Sequence, residues 1–133
     1  MIFVDASAMI AMMVGERGAD ALADQLEAQQ QRLCSAISIW ETIAGLSRTY
    51  AFSPQSAEVQ VRSFMELNNL QLTSIGDREL ELATQAYAAF GKGRHPAALN
   101  MGDCFAYACA KTNGATLLFT DNDFAKTDVN RGR

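Results

Sequence analysis

Short runs of consecutive apolar residues alternate along this chain with longer stretches in which apolar positions recur every three to four residues. That is the pattern of strands buried on both faces, interleaved with amphipathic helices. Met1 to Val4 reads as a buried central strand closing on Asp5, and Ser7 is placed to cap the helix built from Ala8, Met9, Ile10, Met12, Met13 and Val14. That helix is apolar almost all round, so it should be mostly buried. Gly15 and Gly18 break the pattern, and a second helix runs from about Ala19 to Gln31, turning Leu22 and Leu26 inward. Arg32 to Ser35 is a second strand. Ser38-Ile39-Trp40-Glu41 opens a helix that reaches about Ala51, and Ser53-Pro54 starts another, a cap residue followed by proline at the first helical position. Leu70 to Ile75 alternates apolar and polar side chains and predicts a third strand, after which Gly76 or Asp77 starts the helix Arg78 to Phe90. Gly91 to Ala98 is a turn-rich surface loop. Asn100 caps a helix from Met101 to about Asn113, Gly114 ends it, and Thr116 to Phe119 is the fourth strand, leaving a tail that adds at most a terminal strand. Strands alternating with helices predict an α/β domain spanning residues 1–133, with a mainly parallel four- or five-stranded sheet between two helical layers.

Composition narrows the class. The chain has 133 residues, 49% hydrophobic and 20% charged, so it can bury a core without disulfides or structural metal. Its net charge of -4 and pI near 4.9 argue against diffuse electrostatic binding to nucleic acid. A nucleic-acid substrate held through divalent metal stays open, because a bound ion reverses the local sign of charge. The three cysteines, Cys34, Cys104 and Cys109, fall in predicted strand or helix without zinc-ligand spacing, and read as buried free thiols in a reducing compartment. No charged leader precedes the first strand and no apolar run is long enough to cross a bilayer, so the expected location is the cytoplasm, with no membrane partner.

The chemistry lies in the acids. Asp5 ends the first strand, Glu41 lies in the first turn after the second, Asp103 opens the helix before the fourth strand, and Asp121 and Asp123 follow that strand. Residues after different parallel strands share one edge of the sheet, where ligands bind in such folds. Unpaired carboxylates gathered there would repel one another, and a bound cation removes that cost. Mg2+ or Mn2+ takes such oxygen ligands and activates a water against a phosphodiester. No other nucleophile is well placed, and the one histidine, His95, lies in the loop beside Pro96. Each acid also has a structural explanation. Ser38 with Glu41 has the spacing of a capping box, Asn100 with Asp103 resembles one, and Asp121 and Asp123 suit turns.

In order along the chain, Met-Ile-Phe-Val-Asp-Ala-Ser-Ala, Ser-Ile-Trp-Glu-Thr, Gly-Lys-Gly-Arg-His-Pro-Ala, Leu-Asn-Met-Gly-Asp-Cys-Phe-Ala-Tyr-Ala and Leu-Leu-Phe-Thr-Asp-Asn-Asp-Phe resemble segments of PIN-domain proteins, and within them of the VapC toxins of type II toxin-antitoxin systems. The resemblance spans essentially the whole chain. It implies a ribonuclease of α/β/α architecture that depends on Mg2+ or Mn2+, cuts RNA, is inhibited by a VapB-type antitoxin and forms homodimers. It also implies Asp5, Asp103 and Glu41 as metal ligands and catalytic acids, with Asp121 as the fourth and Asp123 as its alternate. Arg94, His95, Ser7 and Thr120 are the residues expected at the substrate. A nuclease acting on DNA or structured nucleic acid, a receiver-like phospho-acceptor switch and a catalytically silent binding module remain the other readings. The switch fits poorly, since only Asp77 follows the third strand and no lysine is suitably placed.

Overall fold

A computed structural model describes residues 1–120 and 124–129. Four strands, β1 (Ile2–Val4), β2 (Arg32–Cys34), β3 (Gln71–Leu72) and β4 (Thr116–Leu118), form one sheet in the order β3-β2-β1-β4, every pair parallel. The helices between them are α1 (Ala6–Val14), α2 (Ala19–Glu27), α3 (Ala36–Thr49), α4 (Pro54–Leu67), α5 (Asp77–Phe90) and α6 (Met101–Asn113).

The side-chain alternation of the strands builds the three layers. On β1, Ile2 and Val4 point into a core shared with α1 to α4, while Phe3 points the other way, into a core shared with α5 and α6. On β4, Leu118 joins the first core and Leu117 the second. With apolar side chains on both faces, the sheet has to be covered twice, as the sequence pattern predicts. Cys34, Cys104 and Cys109 are buried and unbridged, and burial pushes their thiols up to about 12, 11 and 12. None is a thiolate near neutral pH, which removes them as nucleophiles.

Several boundaries differ from the sequence expectation, each for a local reason. Asp5, not Ser7, caps α1: its carboxylate accepts from the Ser7 amide, and the helix begins two residues earlier than a cap at Ser7 requires. The capping box of α3 is Ser35 with Ser38, each side chain bonded to the other's backbone amide, so Glu41 lies in the second turn and takes no part in it. The second helix stops at Glu27, short of Gln31. The third strand shrinks to two exposed residues, because β3 is an edge strand whose only neighbour is the three-residue β2. Phe124–Lys126 forms a 3₁₀ turn rather than a strand, with Phe124 buried. It is followed by Asp128, which accepts from the Tyr107 hydroxyl and pairs with Lys111 at 3.4 Å, tying this segment to α6.

Candidate active site

β1 is central, with β2 on one side and β4 on the other, so the chain changes direction across the sheet beside β1. In an open parallel sheet the crevice at the carboxyl edge of that point is where ligands bind. Asp5 follows β1 there. α6 leads into β4 and runs against the strands, so its first turn, with Asp103, starts at the same edge. α3 begins where β2 ends and brings Glu41. A crevice of about 200 Å³ results, lined by Asp5, Ser7, Trp40, Glu41, Arg48 and Asp103 among others. It is small and acidic, suited to a hydrated ion and one phosphate rather than to a large organic ligand.

Each acid is held by its element. Asp5 is 3% exposed; its Oδ2 accepts from the Ser7 amide at 3.0 Å and from the Ser7 hydroxyl at 2.6 Å. The same hydroxyl accepts from the Thr120 amide at 3.1 Å, so Ser7 joins the end of β1 to the residues just past β4. Asp103 is 9% exposed and sits in a true capping box. Its Oδ2 accepts from the Asn100 amide at 3.0 Å, and its own amide donates to the Asn100 side chain at 2.9 Å. Asp5 and Asp103 are therefore both helix caps and both line the crevice. A carboxylate whose rotamer is locked by a cap is a preorganised ligand.

Glu41 is different, since nothing caps with it. Its carboxyl lies directly over Gly102 in the first turn of α6, where a Cβ on that glycine would collide with Oε1, Oε2 and Cδ. Burial, reinforced by the negative charge of Asp5 and opposed by the guanidinium of Arg48, pushes Glu41 up to about 7. Burial of a carboxyl beside a second anion outweighs the one guanidinium nearby, and a bound cation would reverse the shift. Every acidic donor here is a carboxylate oxygen, the ligand type that Mg2+ and Mn2+ prefer. Among the described residues no three acids, thiols or imidazoles stand close enough to form a finished cage. Asp121 and Asp123, the sequence candidates for the fourth acid, lie outside the described residues.

Gly102 is a residue that sequence reasoning missed. Gly102→Ala is expected to displace the Glu41 carboxyl from the crevice and lower cleavage by about tenfold or more, the scale of perturbing a ligand's supporting shell. Because alanine is the better helix former and Glu41 has a flexible stem, the melting temperature should move little. A large drop in melting temperature with unchanged activity would show that the contact is structural only.

No residue of the loop from Gly91 to Ala98 is among those that line the crevice. Arg94 stacks over Tyr87 at 5.1 Å, and His95 meets Phe90 edge to face at 5.2 Å while its Nδ1 accepts from the Ala97 amide. These contacts fold both side chains back on α5. The basic group that does line the crevice is Arg48, on the same face of α3 as Glu41 seven residues earlier, a spacing visible in the sequence but not singled out there.

The PIN domain family pattern matches residues 2–130. VapC ribonuclease R02377 of Rhizobium meliloti is 36% identical over 141 aligned positions, covering 97% of this chain and 99% of that protein. Ribonuclease VapC30 of Mycobacterium tuberculosis is 35% identical over 126, covering 95% and 94%. The crystal structure of Mycobacterium tuberculosis VapC20, a Sarcin-Ricin loop cleaving toxin, superposes with a TM-score of 0.74 at 19% identity, over 97% of this chain and 96% of that one.

Proposed function

The chain belongs to the PIN-domain family and, within it, to the VapC ribonucleases, and from that membership we propose that it is a divalent-metal-dependent endoribonuclease and the toxin of a toxin-antitoxin pair. The observation that carries the mechanism is the convergence of Asp5, Glu41 and Asp103 on one crevice at the carboxyl edge of the sheet. Asp5 and Asp103, fixed by their caps, would hold Mg2+ or Mn2+, with Glu41 and one of Asp121 and Asp123 completing the acidic set. A divalent ion bound there would supply charge stabilisation for phosphodiester hydrolysis. The protein's own part is orientation. Ser7 holds the Asp5 carboxylate and the Thr120 amide in register, Asn100 holds Asp103, and Gly102 leaves room for the Glu41 carboxyl to accept a proton from an attacking water. Residues 1–133 act as one domain in this reading, in the cytoplasm, as a homodimer inhibited by a VapB-type antitoxin. Among the described residues no helix is long and apolar enough to cross a membrane.

The test is cleavage of single-stranded and structured RNA, with matched DNA, in Mg2+ or Mn2+ and in chelator. RNA-selective, chelator-sensitive cutting is expected. Cutting of DNA alone would favour the other nuclease reading, and metal-independent cutting would overturn the mechanism.

A further inference from the structure

α3 carries a stripe that the acids do not explain. Trp40, Ala44 and Arg48 recur every four residues and so lie one above another on one helix face. All three line the acidic crevice, and all three also line a shallower, mostly apolar groove beside it that runs to Ile43, Ser47 and Pro54. The stripe is thus the rim between the two. Trp40 is 65% exposed, although an indole is among the side chains most strongly driven out of water. Arg48 is exposed and has no hydrogen bond or ion pair among the described residues. Among the described residues it is also the only basic one lining either depression.

On the ribonuclease reading of the same site, we propose that this rim is the ledge on which an unpaired RNA strand lies next to the cut. Arg48 holds a phosphate flanking the scissile one, and Trp40 stacks on a base. Three observations favour nucleic acid as the occupant. The ledge is continuous with the crevice, so a strand whose phosphodiester reaches the carboxylates passes over it. The crevice is acidic and the whole chain carries a net charge of -4, so phosphates need a local cation, and among the described residues that line the two depressions Arg48 is the basic one. A flat exposed indole about two helix turns from a guanidinium is the pairing that binds single strands, with stacking on the aromatic and charge on the backbone. Stacking needs an unpaired base, so a duplex should bind poorly.

Trp40 is the only tryptophan of the chain, so its emission reports on the ledge alone. The experiment titrates the full chain with a mixed-sequence oligoribonucleotide of about ten nucleotides, single-stranded or annealed, in calcium buffer. It follows tryptophan emission and oligonucleotide anisotropy together, and cleavage kinetics in Mn2+ are measured for Arg48→Ala, Arg48→Lys, Trp40→Ala and Trp40→Phe. Saturable quenching by the single strand is expected, with Trp40→Ala weakening binding about tenfold and Trp40→Phe much less. Arg48→Ala should weaken it about fivefold and lower the salt slope by about 0.7, with Arg48→Lys intermediate, and in both series KM should rise more than kcat. Both side chains are exposed, so circular dichroism should not change. If the wild type binds and cleaves RNA while emission and all four variants behave as if the ledge were untouched, the ledge proposal fails and the ribonuclease reading stands. If emission shifts to shorter wavelength with protein concentration alone and RNA does not reverse it, the rim belongs to a second copy of the chain and the proposal fails. If the wild type neither binds nor cuts RNA, the ribonuclease reading fails and the ledge with it.

Discussion

Replacing Asp5 with asparagine is expected to lower RNA cleavage by about 10³-fold or more while shifting the melting temperature by no more than a degree or two. Asp5 has two roles that this substitution separates. As the cap of α1 it accepts from the Ser7 amide and hydroxyl, and asparagine, whose carbonyl oxygen accepts equally well, ranks with aspartate as a capping residue. As a charge in the crevice it has no neutral substitute. Metal-derived charge stabilisation is worth several kcal/mol, and each ~1.4 kcal/mol is a factor of ten in rate. Asp103→Asn should behave alike, since the asparagine carbonyl can still accept from the Asn100 amide. Alanine at either position would confuse the two roles, because a lost cap alone costs about 1 kcal/mol of stability. Thermal melts and cleavage assays on the same preparations decide the matter. Full cleavage by either asparagine variant would remove that carboxylate from the mechanism.

The layered fold was legible because its signal is local and repeated. Apolar runs of three or four residues and amphipathic periods alternate from Ile2 to Leu118, and caps such as Ser53-Pro54 and Asn100-Asp103 mark helix starts. Asp5 and Asp103 were legible for the same reason, since each immediately precedes or opens an element. What the local pattern did not contain was the meeting of α3 with α6. Gly102 matters only because the Glu41 carboxyl lies over it, and that contact joins residues 61 positions apart in sequence. A glycine in the first turn of a helix, where alanine would be more stable, was the available hint. Arg94 and His95, expected at the substrate, pack on Tyr87 and Phe90 of α5, and neither is among the residues that line the crevice. Arg48, on the same face of α3 as Glu41, lines it.

The other large effect concerns the charge of Glu41 in the metal-free protein. Its carboxyl is raised from 4.5 to about 7, chiefly by burial and then by Asp5. Between those values the folded chain holds a proton that the unfolded chain has released, so folding takes up a proton and stability falls as pH rises. The contribution is fully present below about pH 4.5 and is lost once the pH passes about 7. A shift of this size corresponds to ~3 kcal/mol at most, and to roughly 2 kcal/mol once the partial exposure of the group is allowed for. Glutamine cannot ionise, so Glu41→Gln is expected to match the wild type near pH 4.5 in chelator and to exceed it by roughly 2 kcal/mol at about pH 8. With saturating Mg2+ at that pH the order should narrow or invert. The ion binds the folded wild type and stabilises it by mass action, while the glutamine variant offers one charge fewer. Urea denaturation across this range, with and without metal, reads both effects. Parallel stability curves for the two proteins in chelator would show that Glu41 ionises as an ordinary surface carboxylate, and the crevice would then have no electrostatic need of a cation at that acid.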